Sequence, residues 1–163
     1  ILAIPPNVIT RLLPSFETPK KENAIVNVHF LLEDKPNLPN NSPFVGIIGG
    51  QSHWLFKHKD IYSVTISAAN EFAKKSDAEI SKIIWKEVAK VIGDENRECP
   101  LYRVIREKRA TFAQTSAENQ LRPDSQTQWK NLFLAGDWTN TSLPATIESA
   151  VVSGQKVAEI VHK

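Results

Sequence analysis

Alternating apolar and polar residues dominate the chain between residues 25 and 109, which is the pattern of half-buried β-strands. Short runs rich in Val, Ile and aromatic residues are separated there by Pro, Asn and Gly, which favour loops and turns. We predict five strands, of which the second, third and fourth form an antiparallel meander. The predicted strands are 25–32, 44–48, 53–58, 61–68 and 102–109.

Helical spacing of apolar residues is found in two further places. Residues 8–13 predict a short helix that ends at Pro14. Ser76 and Glu79 form a capping-box sequence, and the apolar stripe that follows them predicts a helix over 76–92. Gly93 then stands where a left-handed residue commonly ends a helix.

The last part of the chain, 131–163, predicts a strand, a loop and a long helix. An apolar strand over 132–135 runs into Gly136 and Asp137, and Pro144 is well suited to the first helical position. Leu143 would be the N-cap and has no side-chain oxygen for the free backbone N–H groups that follow. Those groups, at the positive end of the helix dipole, favour an anionic or carbonyl-bearing ligand. They belong to Ala145, Thr146 and Ile147.

Two features of this segment bear on its packing and chemistry. Ala150 and Gly154 share a helix face with Ile147, Val151, Ala158 and Val161, so we expect that face to approach another element closely. Asp137 follows the end of a strand, where open α/β sheets bind ligands. Its carboxylate would accept hydrogen bonds from ligand hydroxyls. The alternative is that Asp137 caps a local turn and that solvent satisfies the helix end.

Composition and charge exclude several classes of protein. The chain is 41% hydrophobic and 23% charged, as in ordinary globular proteins. Its 20 Lys and Arg against 18 Asp and Glu argue against nucleic acid as a partner. The single cysteine, Cys99, excludes an internal disulfide. His53 and His58 would face opposite ways on one strand, so we expect no metal site.

The beginning of the chain suggests that it is a piece of a longer polypeptide. It starts with Ile1 and contains no Met, so we expect an internal or C-terminal segment. No apolar run reaches the roughly 20 residues that cross a bilayer, and we expect no membrane span. A cytoplasmic location fits the one free thiol.

Residues 132–154 resemble the C-terminal flavin motif of the FAD-dependent amine oxidase and phytoene desaturase superfamily. The chain is most similar to the squalene-associated branch, and the resemblance covers nearly its whole length. At position 142 this chain has Ser where the family usually has Gly, so Ser142 strains the turn if a positive φ is needed there. The segments that carry the resemblance are 2–6, 25–29, 54–56, 106–112, 122–123, 135–139 and 143–148.

The resemblance implies an α/β protein, in which an α+β substrate-domain sheet precedes the last strand and helix of an FAD-binding, Rossmann-like domain. It implies that 1–112, with helix 76–92, belong to the substrate domain, that 113–130 are a polar loop and that 131–163 return to the FAD-binding domain. The sequence has no G-x-G-x-x-G, the βαβ signature that holds the ADP half of FAD. We therefore expect the missing N-terminal half of the polypeptide as a partner, and weak FAD binding and no activity without it.

The cofactor implied by the resemblance is FAD. Gly136 and Asp137 would approach its ribityl–pyrophosphate region, and the backbone of Thr146 and Ile147 would donate toward the N1–C2=O2 edge of the flavin. Such donors stabilise the negative charge that reduction places on that edge. The full set of implied cofactor-binding residues is Gly136, Asp137, Trp138, Pro144, Ala145, Thr146 and Ile147.

The substrate implied by the resemblance is an isoprenoid lipid of the squalene type, which would lose a hydroxyl group on reduction. Peripheral contact with the inner membrane would suit such a lipid. Trp54 and Phe56 are candidates for an apolar cavity wall, although packing in the core beside Leu55 is the simpler explanation. Arg106 near the substrate rests on the resemblance alone, and a solvated strand face is the alternative.

Other functions stay open at this point. A relative with a different substrate would be a flavin amine oxidase or a carotenoid desaturase. A protein of another class would be a binding or scaffold domain that kept the fold and lost catalysis. Glu148 is favourable in the first helical turn through the dipole alone, so we do not assign it as a catalytic acid.

Overall fold

The computed structural model describes residues 1–162, and the chain forms two compact units of mixed α and β structure. One unit is Asn23–Ala110, and the other combines Ile1–Glu22 with the chain from Thr111 onward. The first 22 residues belong to the second of these units, in which Leu2 forms a parallel bridge with Leu134. The assignment of 1–112 to a substrate domain stays a prediction.

The five predicted strands are all present and form one sheet with the spatial order β2-β3-β4-β1-β5. The β2–β3, β3–β4 and β1–β4 pairs are antiparallel, so the predicted meander is confirmed. The strands are β1 (Glu22–Leu31), β2 (Phe44–Gly46), β3 (Trp54–His58), β4 (Ile61–Ile66) and β5 (Tyr102–Phe112). The helices are α1 (Pro6–Leu12), α2 (Asp77–Val91), α3 (Ser116–Gln120) and α4 (Ile147–Val161), with 3₁₀ turns at Pro39–Asn41 and Phe72–Lys74.

Helix α2 packs on one face of the sheet. Its start is the predicted capping box, in which Ser76 and Glu79 bond each other's backbone N–H groups, and Gly93 has the predicted positive φ of 76° after its end. The fully buried Ile80, Ile84 and Val88 form its inner stripe. That stripe belongs to one hydrophobic core with alternate residues of the central strands, including Val26, Val28, Phe30, Leu55 and Val64.

A carboxylate of α2 holds the connection between β2 and β3. Glu87 accepts hydrogen bonds from the backbone N–H groups of Gln51 and Ser52, each at 2.8 Å. Gly50 allows this approach, because a Cβ at that position would lie 2.7 Å from Glu87 Oε2. One side chain of the helix therefore fixes the loop that leads into β3.

The unit that contains the chain ends has a small core of its own. Its buried members are Ile9, Phe112, Leu134, Trp138 and Ala145. The predicted strand over 132–135 is reduced to single bridges at Phe133 and Leu134, and the predicted loop over 113–130 contains the short helix α3. Among residues 1–162, none of the helices has the length and apolar character needed to cross a bilayer.

We predict that Glu87→Gln loosens the β2–β3 connection. The substitution removes the charge from an acceptor of two backbone N–H groups, which should cost about 1–3 kcal/mol of stability. Amide hydrogen exchange at Gln51 and Ser52 should become faster. Lys86→Gln, an exposed neighbour on α2, is the control, and unchanged protection of both amides in Glu87→Gln would contradict the assignment.

Candidate functional site

Gly136 begins the loop that connects the Leu134 bridge to α4. Its φ of +147° lies outside the range that other residues adopt easily, and a Cβ there would lie 2.5 Å from Trp138 Nε1. Its N–H donates to Ser153 Oγ at 2.8 Å. Glycine is therefore required at this position both by the backbone and by the neighbouring indole ring.

Helix α4 begins later than the sequence predicts. It starts at Ile147, and its N-cap is Thr146, whose Oγ1 accepts from the Ser149 N–H. The predictions of Pro144 as the first helical residue and of Leu143 as the N-cap are therefore wrong. A threonine hydroxyl can satisfy a helix-end N–H and a leucine side chain cannot, so the cap forms three residues further on.

The start of α4 leaves backbone donors open. The Ala145 N–H, predicted to be free, donates to Gln114 Oε1 at 3.1 Å. Among the described residues, none accepts from the N–H groups of Thr146, Ile147 or Glu148, and Ile147 is 86% exposed. These three donors lie at the positive end of the helix dipole, where an anionic or carbonyl oxygen binds favourably.

Asp137 lies in the loop before these donors and is half-buried. Burial raises the pKa of its carboxyl, while the backbone N–H groups of Asp137 and Trp138 and the charge of Arg122 act in the opposite direction. The carboxylate is therefore held partly out of water without a strong cationic partner. Such a group gains from hydroxyl donors brought by a ligand.

Two buried serines of α4 hold the loop against the helix. Ser153 Oγ accepts from Gly136 and donates to Ala150 O at 2.8 Å. Ser149 Oγ donates to Asp137 O at 3.1 Å and lies 2.6 Å from Thr141 Oγ1. Neither serine was predicted from the sequence, although their spacing of four residues places them on one face of the helix with the buried Val157.

Arg122 fixes the same loop from the other side. Its Nη1 donates to Leu143 O at 2.8 Å, and its Nη2 lies within hydrogen-bond distance of Asp137 O, Thr139 O and Thr141 Oγ1. Burial lowers the pKa of this guanidinium, and Asp137 partly opposes that effect. Arg122 was part of the resemblance, but no role was predicted for it from the sequence.

The Trp138 side chain is part of the core. It is 2% exposed, and its Nε1 donates to Ile4 O at 3.0 Å. Ala145 is buried in the same cluster. The indole ring therefore supports the loop from inside the core and is not exposed to a ligand. Among the backbone donors predicted to bind the cofactor, those of Thr146 and Ile147 remain open.

The apolar face of α4 does not pack as predicted. Ile147, Val151 and Val161 are 86%, 49% and 50% exposed, and no heavy atom lies within 4 Å of a Cβ placed on Gly154. The buried residues are instead Ser149, Ser153 and Val157. Within the described residues, α4 therefore buries two serines and one valine and leaves the predicted apolar stripe exposed.

The sheet places the three predicted substrate residues on opposite faces. Trp54 and Phe56 are 46% and 42% exposed, whereas Leu55 between them is fully buried, so the expectation of simple core packing is correct only for Leu55. Arg106 lies on the α2 side, where it donates to Ala73 O at 3.1 Å and pairs with Asp77 at 2.6 Å. Arg106 therefore anchors the segment before α2 and lies away from the exposed aromatic rings.

Comparison with known proteins decides the family. The family described as flavin containing amine oxidoreductase matches residues 1–162. The chain belongs to this family. Similarity to a protein described as a protoporphyrinogen oxidase from Exiguobacterium sp. 255-15 supports the fold, with a TM-score of 0.69 at 15% identity over 98% of this chain and 40% of that one.

Among curated relatives, the chain is similar to the hydroxysqualene dehydroxylases of Rhodopseudomonas palustris and Zymomonas mobilis. The identities are 44% and 43% over 99% and 98% of this chain. The 15-cis-phytoene desaturase of Synechococcus elongatus is 22% identical over 84% of this chain and 32% of its own length. The chain spans 38% of the length of the two dehydroxylases.

The start of α4 and the loop before it fit the flavin that membership of this family implies. The edge of a flavin ring presents a carbonyl oxygen and a ring nitrogen, which accept hydrogen bonds, and its ribityl chain presents hydroxyl donors. The open N–H groups of Thr146 and Ile147 can donate to the acceptor edge of the flavin ring. The Asp137 carboxylate can accept from the ribityl hydroxyl groups. The loop that carries them is held by Arg122 and the buried serines of α4.

Ser142 was expected to be strained if the turn before α4 needs a positive φ. Its φ is +65°, so that requirement is confirmed and the serine is strained. A left-handed conformation costs a non-glycine residue roughly 1–2 kcal/mol. The turn is therefore formed at some expense of stability.

We predict that Ser142→Gly stabilises this unit. Glycine adopts the left-handed conformation without a steric cost but loses more freedom on folding, so the net gain should be about 0.5–1 kcal/mol. Urea unfolding followed by the intrinsic tryptophan fluorescence of the chain measures the change. Ser142→Ala keeps the Cβ and should give no gain; equal gains in both variants would show that the hydroxyl, and not the backbone, is responsible.

Proposed function

We propose that this chain is the C-terminal part of an FAD-dependent oxidoreductase that removes the hydroxyl group of a hydroxysqualene-type isoprenoid. The observation that carries the proposal is the set of open backbone donors of Thr146 and Ile147 at the start of α4, the helix whose Ser149 Oγ bonds the backbone of the half-buried Asp137. The similarity to two hydroxysqualene dehydroxylases supports this reaction and substrate class.

The residues before α4 would bind and orient the cofactor. Thr146 and Ile147 would donate their N–H groups to the acceptor edge of the flavin, and Asp137 would accept hydrogen bonds from ribityl hydroxyls. When bound in its reduced form, FAD would supply the two electrons and two hydrogens by which a carbon–oxygen bond is replaced by a carbon–hydrogen bond and the oxygen leaves as water, and the flavin would be left oxidised. The positive end of α4 favours negative charge at that edge.

The outward apolar face of α4 is proposed to pack against the remainder of such an enzyme. Contiguous exposed Ile and Val side chains usually mark a surface that another element covers. The sequence lacks a G-x-G-x-x-G, so the ADP half of FAD needs residues from elsewhere. An N-terminal Gly-rich βαβ unit of the same polypeptide would supply both.

The substrate would bind through apolar contacts. An isoprenoid offers a long hydrocarbon chain and few polar groups, so an apolar wall with a few polar contacts is sufficient to bind it. Trp54 and Phe56 provide exposed aromatic surface of this kind. Arg106 is not included, because its guanidinium bonds the residues that precede α2.

A carotenoid desaturase function is the second candidate. It is favoured by the similarity to 15-cis-phytoene desaturases, whose substrates are also long isoprenoids. The identity to these proteins is about half of that to the dehydroxylases, 22% against 44%. The two candidates differ in whether a hydroxyl group must be recognised.

We predict that the full-length gene product, purified and supplied with FAD, shows a flavin absorption spectrum. The spectrum should bleach with a reductant and sharpen when hydroxysqualene is added, because the flavin environment changes when substrate binds. Phytoene is the control ligand, and a response to phytoene alone would favour the desaturase. A colourless product whose spectrum shows no FAD binding would contradict the oxidoreductase proposal and favour a non-catalytic scaffold.

We predict that Asp137→Asn weakens FAD binding by about tenfold, the worth of one hydrogen bond to a charged group. It should not destabilise the FAD-free protein. Burial raises the pKa of Asp137 above its ordinary 3.8, so the ionised carboxylate costs stability at neutral pH and the amide does not. Visible absorbance during FAD titration measures the affinity, and thermal unfolding measures the stability.

The pH dependence separates this role from that of a turn cap. The thermal midpoint of Asp137→Asn at pH 7 should equal or exceed that of the wild type. The difference should narrow as the pH falls toward 3.8, because the wild-type carboxyl then becomes neutral. A lower midpoint with unchanged FAD affinity would show that Asp137 only caps its turn.

A further inference from the structure

Two rows of side chains cross the sheet on the face that carries Trp54 and Phe56. Residues paired between neighbouring strands lie side by side and point to the same face, so the strand register defines each row. The first row is Phe44, Phe56, Ser63 and His29. The second row is Gly46, Trp54, Thr65 and Asn27.

The β2–β3 end of these rows is aromatic. Phe44, Trp54 and Phe56 are 47%, 46% and 42% exposed. Their ring centroids are 5.9–6.5 Å apart, so the three rings form one continuous surface. Such a surface binds apolar groups, since each ring offers a large contact area with little conformational freedom to lose.

The β4–β1 end of the rows is polar and half-buried. His29 Nδ1 lies 2.8 Å from Ser63 Oγ, and Thr65 Oγ1 donates to Asn27 Oδ1 at 2.8 Å. Within residues 1–162, no side chain or backbone group hydrogen-bonds His29 Nε2. The register places His29 two strands away from Phe56 in the same row, with Ser63 of β4 paired to both residues.

His29 is suited to bind a neutral hydroxyl group. Burial lowers the pKa of His29, and the positive charge of Arg103 lowers it further, so the imidazole is neutral at pH 7. A neutral imidazole carries one donor and one acceptor nitrogen. With Nδ1 engaged by Ser63, Nε2 is left to donate to a hydroxyl oxygen or to accept from a hydroxyl hydrogen.

We propose that these two rows form the substrate contact of the protein, in which Phe44, Trp54 and Phe56 bind the hydrocarbon chain of an isoprenoid and His29 Nε2 hydrogen-bonds its hydroxyl group. This assignment rests on the proposed function for the class of substrate. It adds the residue that distinguishes the hydroxylated isoprenoid from its hydrocarbon product.

The arrangement favours an isoprenoid alcohol over a lipid bilayer as the occupant. A bilayer would take up the aromatic rings, but it holds no group at a fixed position opposite His29, whereas a hydroxyl on the bound hydrocarbon itself would be fixed there. A long hydrocarbon with one hydroxyl group matches an aromatic surface that continues into one open hydrogen-bonding atom. The bilayer is retained as an outcome of the experiment.

The test is the preference of the full-length gene product for hydroxysqualene over squalene. Equilibrium dialysis against each ligand, solubilised in cyclodextrin, gives the two affinities. His29→Ala should weaken hydroxysqualene binding about fivefold, as expected for one hydrogen bond, and should leave squalene binding unchanged. Trp54→Ala and Phe56→Ala should weaken both ligands by the same factor.

Matched variants control for folding and for general loss of aromatic surface. Tyr102→Ala removes an aromatic ring of β5 near α2, on the other face of the sheet, and should change neither affinity. Far-UV circular dichroism checks that each variant folds. If His29→Ala does not fold, His29→Gln keeps a polar tip and should retain part of the preference.

Each outcome decides between the occupants. Equal effects of His29→Ala on both ligands, or none on either, would overturn the assignment of His29. Aromatic variants that bind both ligands normally but no longer bind phosphatidylglycerol vesicles would show a membrane surface instead. If the protein binds no flavin but still prefers hydroxysqualene over squalene, only the proposed redox function is refuted. If it binds flavin and His29→Ala leaves that preference unchanged, only this inference is refuted.

Discussion

The attachment of the 136–143 loop to α4 is the constraint on which the candidate cofactor site depends. Arg122 bonds the carbonyl groups of Asp137, Thr139 and Leu143, and Ser149 and Ser153 bond the loop from the helix. These contacts satisfy the loop's own polar groups inside the protein. The donors of Thr146 and Ile147 are left open as a result, and the half-buried Asp137 is fixed in the same loop.

The sheet unit follows a different physical plan. One face is closed by apolar contacts with α2, and the loop before β3 is tied to that helix through Glu87. The other face carries an aromatic surface that changes into hydrogen-bonded polar pairs over the width of four strands. A sheet can hold such a gradient because its strands place neighbouring side chains at a fixed spacing and on a fixed side. The proposed discrimination between ligands would rest on this register.

Local signals predicted much of this structure, and the failures have physical causes. The capping box at Ser76 and the left-handed Gly93 depend on residues close in sequence, and both were recognised. The start of α4 was misplaced because Pro144 is only permissive there, whereas Thr146 supplies an actual hydrogen bond. The role of Arg122 was invisible, since its acceptors are mostly backbone carbonyls 15 to 21 residues away, which carry no sequence signature.

The two serines on the buried face of α4 affect how the attachment of this helix depends on temperature. A helix held only by apolar contacts tolerates small rotations, because such contacts have no preferred direction. Its attachment also weakens on cooling, because apolar burial then contributes less. Ser149 and Ser153 are instead held by directional bonds of 2.6 to 3.1 Å, which one turn of sliding would break together. These hydrogen bonds therefore fix the rotation and the axial position of α4 against the 136–143 loop. Because hydrogen bonds do not weaken on cooling in the way that apolar burial does, this attachment should persist at low temperature.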